Sequence, residues 1–373
     1  MIPSEFIDLL PQLQRKLQNI NHPDSLRISN EILQYVINEI SANPCNENFI
    51  NPNKKKPAKK SIENLKSLIS SQIDVIIEKL KNNMPWEYIK GSAEFCGYIF
   101  QVDKNVLIPR TDTEFLVYYS TLSILQYFFS EYVFNNNDLL DKLDSDKSSI
   151  NTITIIDIGT GSGCIITSVY MILSGIISGS INIKNISDRI YTEQLEIPHI
   201  CFKTNTRLIT ERDIFELHEY FKKNRNKIDG FINDLRKRNL LSKWFALFDF
   251  IGTDISQEAL SIATNNYQII KKNPILDDKK AILNSKNVQF IESNWLTNIP
   301  QSVFNKSDVF IISNPPYIPP EVYLKLDPSV KDHEPKLALV GNSDNLLSAI
   351  KQLEKEKQFH IKGIYFEDYC IEH

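Results

Sequence analysis

The chain is short of several things. Of its 373 residues only 11 are glycine and 3 methionine, and basic residues do not exceed acidic ones (42 Lys+Arg against 46 Asp+Glu, net charge -4). That balance argues against a protein that coats DNA or RNA, so direct nucleic-acid binding is not expected. No apolar run is long enough to span a bilayer, and no membrane partner is expected. The 5 cysteines, Cys45, Cys96, Cys164, Cys201 and Cys370, are scattered and contain no CxxC pair. Neither a disulfide framework nor a zinc site is therefore expected, no other metal is either, and a reducing compartment fits. The start, MIPSEFIDLLPQLQRKL, lacks the basic residues and apolar centre of a secretory signal. It also lacks the Arg- and Ser-rich, acid-poor texture of a transit peptide. The expected location is the cytoplasm or an organelle (mitochondrion or plastid), without a clear targeting signal. Asn, Lys and Ile are abundant instead, a bias that makes Asn/Lys-rich stretches readable as solvated insertions.

Residues 1–90 read as a small helical domain. Phe6, Leu9, Leu10, Leu13 and Leu17, then Ile32, Leu33, Val36 and Ile40, recur at near-helical spacing, and a further helix runs from Ile62 to Lys81. Between them, residues 43–60 carry Pro, Asn and a Lys cluster, read as a solvated linker. From Phe95 the texture changes. Phe95–Val102 and Val106–Ile108 predict a hairpin, Pro109 ends it, and Asp112 is placed to cap a helix starting near Thr113. The polar tract 135–151 predicts loop. Strands at Thr152–Ile158, Phe245–Thr253, Val288–Glu292 and Val309–Ser313 then alternate with helices at Cys164–Ser174 and Gln257–Asn266. This predicts an α/β fold, a parallel sheet with helices on both faces. Residues 175–243 interrupt the rhythm with a Lys-, Arg- and Asn-rich helical stretch, Ile214–Leu241. They are read as an insertion at the periphery of the sheet, more a tolerated expansion than a partner-binding element.

Two stretches carry chemistry. In the first, the β-run Ile153, Ile155, Ile156 ends at Asp157 and passes into a GxGxG turn, Gly159-Thr160-Gly161-Ser162-Gly163, that opens a helix. Glycine permits positive φ and lets a ligand lie on bare backbone, and the helix start offers free N–H groups. A Gly-rich turn by itself is weak evidence. Here a second acid, Asp254, closes the next strand, where a carboxylate accepts the two ribose hydroxyls of an adenosine. Capping of the following helix is compatible with that role. After Val288–Glu292 come Asn294, a candidate for an adenine edge, and Trp295, a candidate for the base or methionyl part. A lone Trp is as often core.

The second stretch is Asn314-Pro315-Pro316-Tyr317, directly after Val309–Ser313. The prolines fix φ and remove two donors while their carbonyls stay free to accept. The Asn314 side chain adds another carbonyl. Converging acceptors suit a planar NH2 group with its two donors, and the Tyr317 ring offers a face for packing it. An amide nitrogen is a poor nucleophile. Accepting both its N–H bonds orients the lone pair and stabilises the positive charge that develops on methylation. Asn314, Pro315 and Tyr317 are thus the candidate catalytic residues, and Asn314–Tyr317 the acceptor-binding ones. No general base is required.

With these residues in hand, the chain resembles the HemK/PrmC family of release-factor glutamine methyltransferases over roughly residues 62–350, apart from 175–243. Pro85-Trp86-Glu87-Tyr88-Ile89-Lys90-Gly91, Glu94–Tyr98, Val106–Glu114 and Val330–Pro335 carry the likeness. The Asp112-Thr113-Glu114 form is similar to the release-factor branch. The resemblance implies a helical N-terminal substrate-binding domain (1–90) and a Rossmann-like class I methyltransferase core (91–373). It implies S-adenosyl-L-methionine held by Gly159, Thr160, Gly161, Ser162, Gly163, Asp254, Asn294, Trp295 and Asn314, and the GGQ glutamine of a peptide chain release factor as acceptor; separately, a monomer is expected. The chain departs from the family at Asn294, where Asp is usual, and at Gly341-Asn342. It also stops near a fifth core strand, Gly363–Phe366, short of the family's last two strands, so that either the sequence is truncated or the sheet has an unprotected edge. Two alternatives stay open: an adenine-N6 methyltransferase of DNA or RNA using the same turn, and a non-catalytic binding protein.

Overall fold

The computed structural model describes residues 2–20, 22, 25–42, 59–135, 138–145, 150–192, 200–205, 207–272, 288–305, 307–357 and 361–369. They form two compact units, residues 1–91 with 328–333, and residues 92–327 with 334–373. The Lys-rich stretch 43–58 lies outside the described residues.

The first unit is helical: a 3-10 turn Ser4–Leu9 leads into helices Leu10–Asn19, Ser25–Ala42, Lys59–Lys81 and Trp86–Lys90. Their apolar faces meet in one core containing Leu13, Leu17, Ile32, Leu33, Ile69 and Ile73. Trp86 closes it, its ring edge-on to Tyr35 and its indole N–H donating to Glu31 at 3.0 Å. Within this unit the Asn82 carbonyl lies 2.9 Å from His333 Nε2.

The second unit opens with a hairpin, β1 (Ser92–Phe95) and β2 (Tyr98–Gln101). It comes one strand earlier than expected. Cys96 (φ 50°) and Gly97 (φ 77°) both adopt positive φ, the two-residue turn whose twist matches paired strands. Val106–Ile108 therefore forms no ladder and starts on a bend at Val106. The main sheet has seven strands in the order β5-β4-β9-β8-β3-β6-β7. These are β3 (Thr152–Ile158), β4 (Ile200–Thr204), β5 (Arg207–Leu208), β6 (Phe248–Asp254), β7 (Val288–Glu292), β8 (Ser307–Ser313) and β9 (Ile361–Tyr369). From β9 to β7 all neighbours are parallel. Both faces are covered, so the strands read as continuous apolar runs. Phe310 and Ile312 point to the core on one face and Val309 and Ile311 to that on the other.

Two expectations fail at the sheet's far edge. β9 is not an unprotected edge: β4 pairs antiparallel with it along Ile200–Thr204, and β5 pairs antiparallel with β4. Both strands come from the 175–243 insertion. That segment does lie at the edge of the sheet, but it is no mere tolerated expansion, since Phe202, Leu217, Phe221, Ile228, Phe231, Ile232 and Leu235 belong to the main core. Its long helix, Glu211–Lys237, starts on a reciprocal capping box between Thr210 and Asp213.

Smaller corrections are local. The 135–151 tract contains a helix, Leu139–Asp144, because Leu139 and Leu143 reach the core. β6 begins at Phe248 because Leu241–Phe245 is a short helix burying Trp244. Asp112 stands at the N-cap of helix Thr113–Phe128 but makes no side-chain cap bond. Cys96 and Cys164 are free thiols, whereas Cys201 is disulfide-bonded, which the scattered spacing did not indicate.

Candidate active site

Parallel strands deliver their carboxyl ends to one side of a sheet, and the chemistry-bearing residues gather there. At the end of β3, Gly159 (φ 70°), Gly161 (φ 53°) and Gly163 (φ 77°) all take conformations that favour glycine. They do not serve the same purpose. Gly159 and Gly161 line a cavity of about 360 Å³. Gly163 begins helix Cys164–Ser178, and a Cβ there would stand 2.9 Å from the Ala263 Cβ, so its smallness lets two helices meet.

Asp157 is fully buried behind the turn. Its Oδ2 accepts from the Thr160 hydroxyl at 2.6 Å and the Ile166 N–H at 3.3 Å. Burial pushes its pKa up to about 7, assisted by the nearby Asp254 charge and opposed by those two hydrogen bonds. Asp254, ending β6, accepts from the Gly161 N–H at 2.9 Å through one oxygen and from the Ser256 N–H at 3.0 Å through the other. Each oxygen keeps a lone pair for a ligand hydroxyl. Ser256 itself caps helix Gln257–Lys271 by accepting from the Ala259 N–H. Asn294, exposed, and Trp295, half-buried with φ 52°, also line the cavity.

β8 ends at the same place. Asn314 and Pro316 line the cavity, while Pro315 is buried beneath and Tyr317 stands off it, its hydroxyl donating to Glu367 at 2.9 Å. The strand after the turn is held closed: the Ile318 N–H donates to the Leu339 carbonyl at 2.9 Å and the Gly341 N–H to the Ile318 carbonyl at 3.2 Å. A Cβ on Gly341 would fall 2.1 Å from the Pro316 carbonyl oxygen, so this glycine is what lets the chain pass behind the turn.

The cavity thus unites Gly159, Gly161, Asp254, Asn294, Trp295, Asn314 and Pro316 among the residues named from sequence, and leaves Thr160, Ser162, Gly163, Pro315 and Tyr317 off its wall. Sequence reading missed others. Val106, Leu107, Pro335 and Ala338 form apolar wall, and Ile255 (53% exposed) and Leu337 (66% exposed) stand at its rim. The family-like segments around it are tied together. Glu334 accepts from Arg110 at 2.5 Å and from the Ile108 N–H at 3.3 Å, joining the Val106–Glu114 stretch to the segment after the turn. Glu114 accepts from the Cys96 N–H at 2.6 Å and from Arg189 of the insertion at 3.2 Å. Glu367 was missed too, though an acid ending an apolar strand was the signal already used for Asp157 and Asp254.

A larger cleft, about 720 Å³, lies among the insertion helices. It holds none of the residues named from sequence, and of its Lys and Arg side chains Lys184 pairs with Asp188, Lys222 with Glu219 and Arg225 with Asp229, while Arg236 donates to Asn233 at 3.1 Å. The smaller cavity is the candidate site because acids, glycine backbone and apolar wall converge there.

No family model matches the chain. It is nevertheless 25% identical over 351 residues to a bifunctional methyltransferase of Rickettsia bellii, covering 92% of this chain and 44% of that protein. It is 25% identical over 299 residues to the release factor glutamine methyltransferase of Flavobacterium psychrophilum, covering 79% of this chain and 67% of that one. It is 24% identical over 299 residues to the same-named protein of Enterococcus faecalis, covering 79% and 66%. The chain is a homologue of HemK/PrmC-type methyltransferases. It spans less than half the length of the bifunctional relatives, 44% and 37% of the proteins from Rickettsia bellii and Rickettsia prowazekii. The fold agrees with that kinship, a mixed α/β unit with a seven-stranded, mostly parallel, Rossmann-like methyltransferase sheet. Methyltransferase homology implies a methyl donor. No helix among the described residues is long and apolar enough to cross a membrane.

Proposed function

We propose that the chain is an S-adenosyl-L-methionine-dependent methyltransferase acting on the side-chain amide nitrogen of a glutamine, in the GGQ motif of a peptide chain release factor. The observation that carries this reading is the meeting of Asn314 and Pro316 with Asp254, Gly159 and Gly161 on one cavity wall. A methyl donor and a planar NH2 acceptor are served by the two halves of a single space. The residues present fit the cofactor. Gly159 and Gly161 give the cavity wall bare backbone, with nothing closer than 4.0 Å to where a Cβ would stand. The Asp254 oxygens have capacity for ribose hydroxyls, and Trp295 and the apolar wall offer flat surface to a base.

When bound, the cofactor supplies an electrophilic methyl group. The chain's own residues do the rest. Asn314 and one backbone carbonyl of the proline pair accept the two N–H bonds of the amide, which aims its lone pair and stabilises the developing positive charge. Alignment of this kind contributes on the order of 7–11 kcal/mol to rate enhancement. The amide loses its proton after transfer, so no side chain has to act as a base.

The test is a transfer assay with methyl-labelled cofactor, offering release factor, release factor with the GGQ glutamine replaced, and DNA or RNA separately. Label in release factor that vanishes with the glutamine is expected. Label in nucleic acid alone points to the adenine-N6 reading instead. A folded sample that shows no cofactor heat by calorimetry points to a binding protein.

A further inference from the structure

Behind the Asn314–Tyr317 turn lies a buried relay. Glu367, on β9, is fully buried. Its Oε2 accepts from the Thr113 hydroxyl at 2.6 Å and its Oε1 from the Tyr317 hydroxyl at 2.9 Å. Thr113, also buried, accepts in turn from the Asn314 Nδ2 at 3.1 Å. The logic is one of proton counting. A hydroxyl has one hydrogen to give, and Thr113 has committed its own to the carboxylate. Thr113 can then only accept, so Asn314 must turn its NH2 group inward. The side-chain carbonyl is left as the group that faces outward, which is the group an N–H acceptor substrate needs.

We propose that Glu367 and Thr113 are positioning residues that hold the Asn314 amide with its carbonyl toward the acceptor and anchor the Tyr317 ring beside it. This rests on the reading of Asn314–Tyr317 as the acceptor cradle. Without the relay, both orientations of the Asn314 amide become open, and the wrong one presents a donor to a donor, leaving two buried N–H groups opposed. Burial raises the Glu367 pKa, while the two hydroxyl bonds and, more weakly, Arg110 act against it and Asp112 with it. Neither hydroxyl can donate to both the carboxylate and Asn314, so the chain of donors runs in one direction.

The experiment compares Thr113→Val, which keeps the shape and removes the hydroxyl, with Thr113→Ser, which keeps the hydroxyl, and with Glu367→Gln. In the full-length chain, transfer to release factor by Thr113→Val should fall about 10- to 100-fold in kcat, as misalignment costs, with the cofactor Kd by calorimetry nearly unchanged. Thr113→Ser should restore most of kcat. Equal losses in Thr113→Ser and Thr113→Val, or a loss seen only in melting temperature, would overturn the positioning role. A second readout needs no activity. With 15N-asparagine labelling, the Asn314 side-chain amide resonances should move in Thr113→Val and Glu367→Gln and stay in place in Thr113→Ser; resonances that ignore Thr113→Val sink the relay. If wild type labels no release factor, the proposed function fails, and the resonances still decide whether the relay exists.

Discussion

Asp157 shows how a single side chain couples stability to the site. Its folded pKa of about 7 lies above the ordinary 3.8, so the native state holds the proton more tightly than the unfolded one. This residue's contribution to stability is therefore complete below the unfolded value and is lost as pH rises toward 7. Denaturant midpoints of the cofactor-free protein should fall across that window, by the equivalent of about 2–4 kcal/mol from this group. Asp157→Asn should remove that part of the slope; an unchanged slope in the variant refutes the assignment. Gly341 gives a second prediction. Gly341→Ala places a methyl group on the Pro316 carbonyl, and backbone on both sides resists moving. Overpacking of this sort costs about 1–3 kcal/mol. Displacement of the turn should lower transfer more than cofactor binding, a split that kinetics and calorimetry on one sample resolve.

At the scale of elements, the insertion is the main lesson. An antiparallel strand and a short second one, both cut from residues 175–243, occupy the side of β9 where the sheet was expected to lie open. β4 faces β9 with Phe202 opposite Glu367, and Lys203 pairs with Asp368 next to it. The strand that presents Glu367 is thereby held on both sides, by β8 and by β4. Phe202 also packs on Phe115 of helix Thr113–Phe128, with ring centroids 4.7 Å apart. Phe202→Ala should destabilise the chain by about 3–5 kcal/mol and should loosen β9. Hydrogen exchange should speed up at Tyr365–Asp368 ahead of β3 and β6; uniform change across the sheet speaks against a local role for β4.

For the whole molecule, every residue lining the candidate cavity belongs to the second unit, and the helical unit has a core of its own. Cofactor binding and acceptor selection are accordingly separable. A chain with surface charges changed on the helical unit, such as Lys79→Glu with Lys81→Glu, should bind cofactor within about twofold of wild type, since no residue lining the cavity is touched. If that unit binds the release factor, as the resemblance implies, the same changes should raise KM for release factor and leave kcat in place. An altered cofactor Kd contradicts the separation.

What the sequence determined by itself is local. The ends of β3 and β8, the positive-φ glycines, the acid closing β6 and the proline pair are legible because each depends on a few adjacent residues and on periodicity. Pro315 and Pro316 fix φ, while Gly159 and Gly161 make the positive φ of their turn accessible. What only the tertiary structure decided is long-range. Thr113 meets Glu367 across 254 positions, and Arg189 reaches Glu114 across 75. The filling of the sheet edge by β4 and β5 belongs here too. Edge pairing is made by backbone N–H and C=O groups that every residue carries, so no side-chain pattern announces which strand a sheet will accept. β5 is two residues long, too short for alternation to register. Burial helps to hold this segment there, because its Phe202, Phe221 and Phe231 all belong to the main core and leave water when it docks.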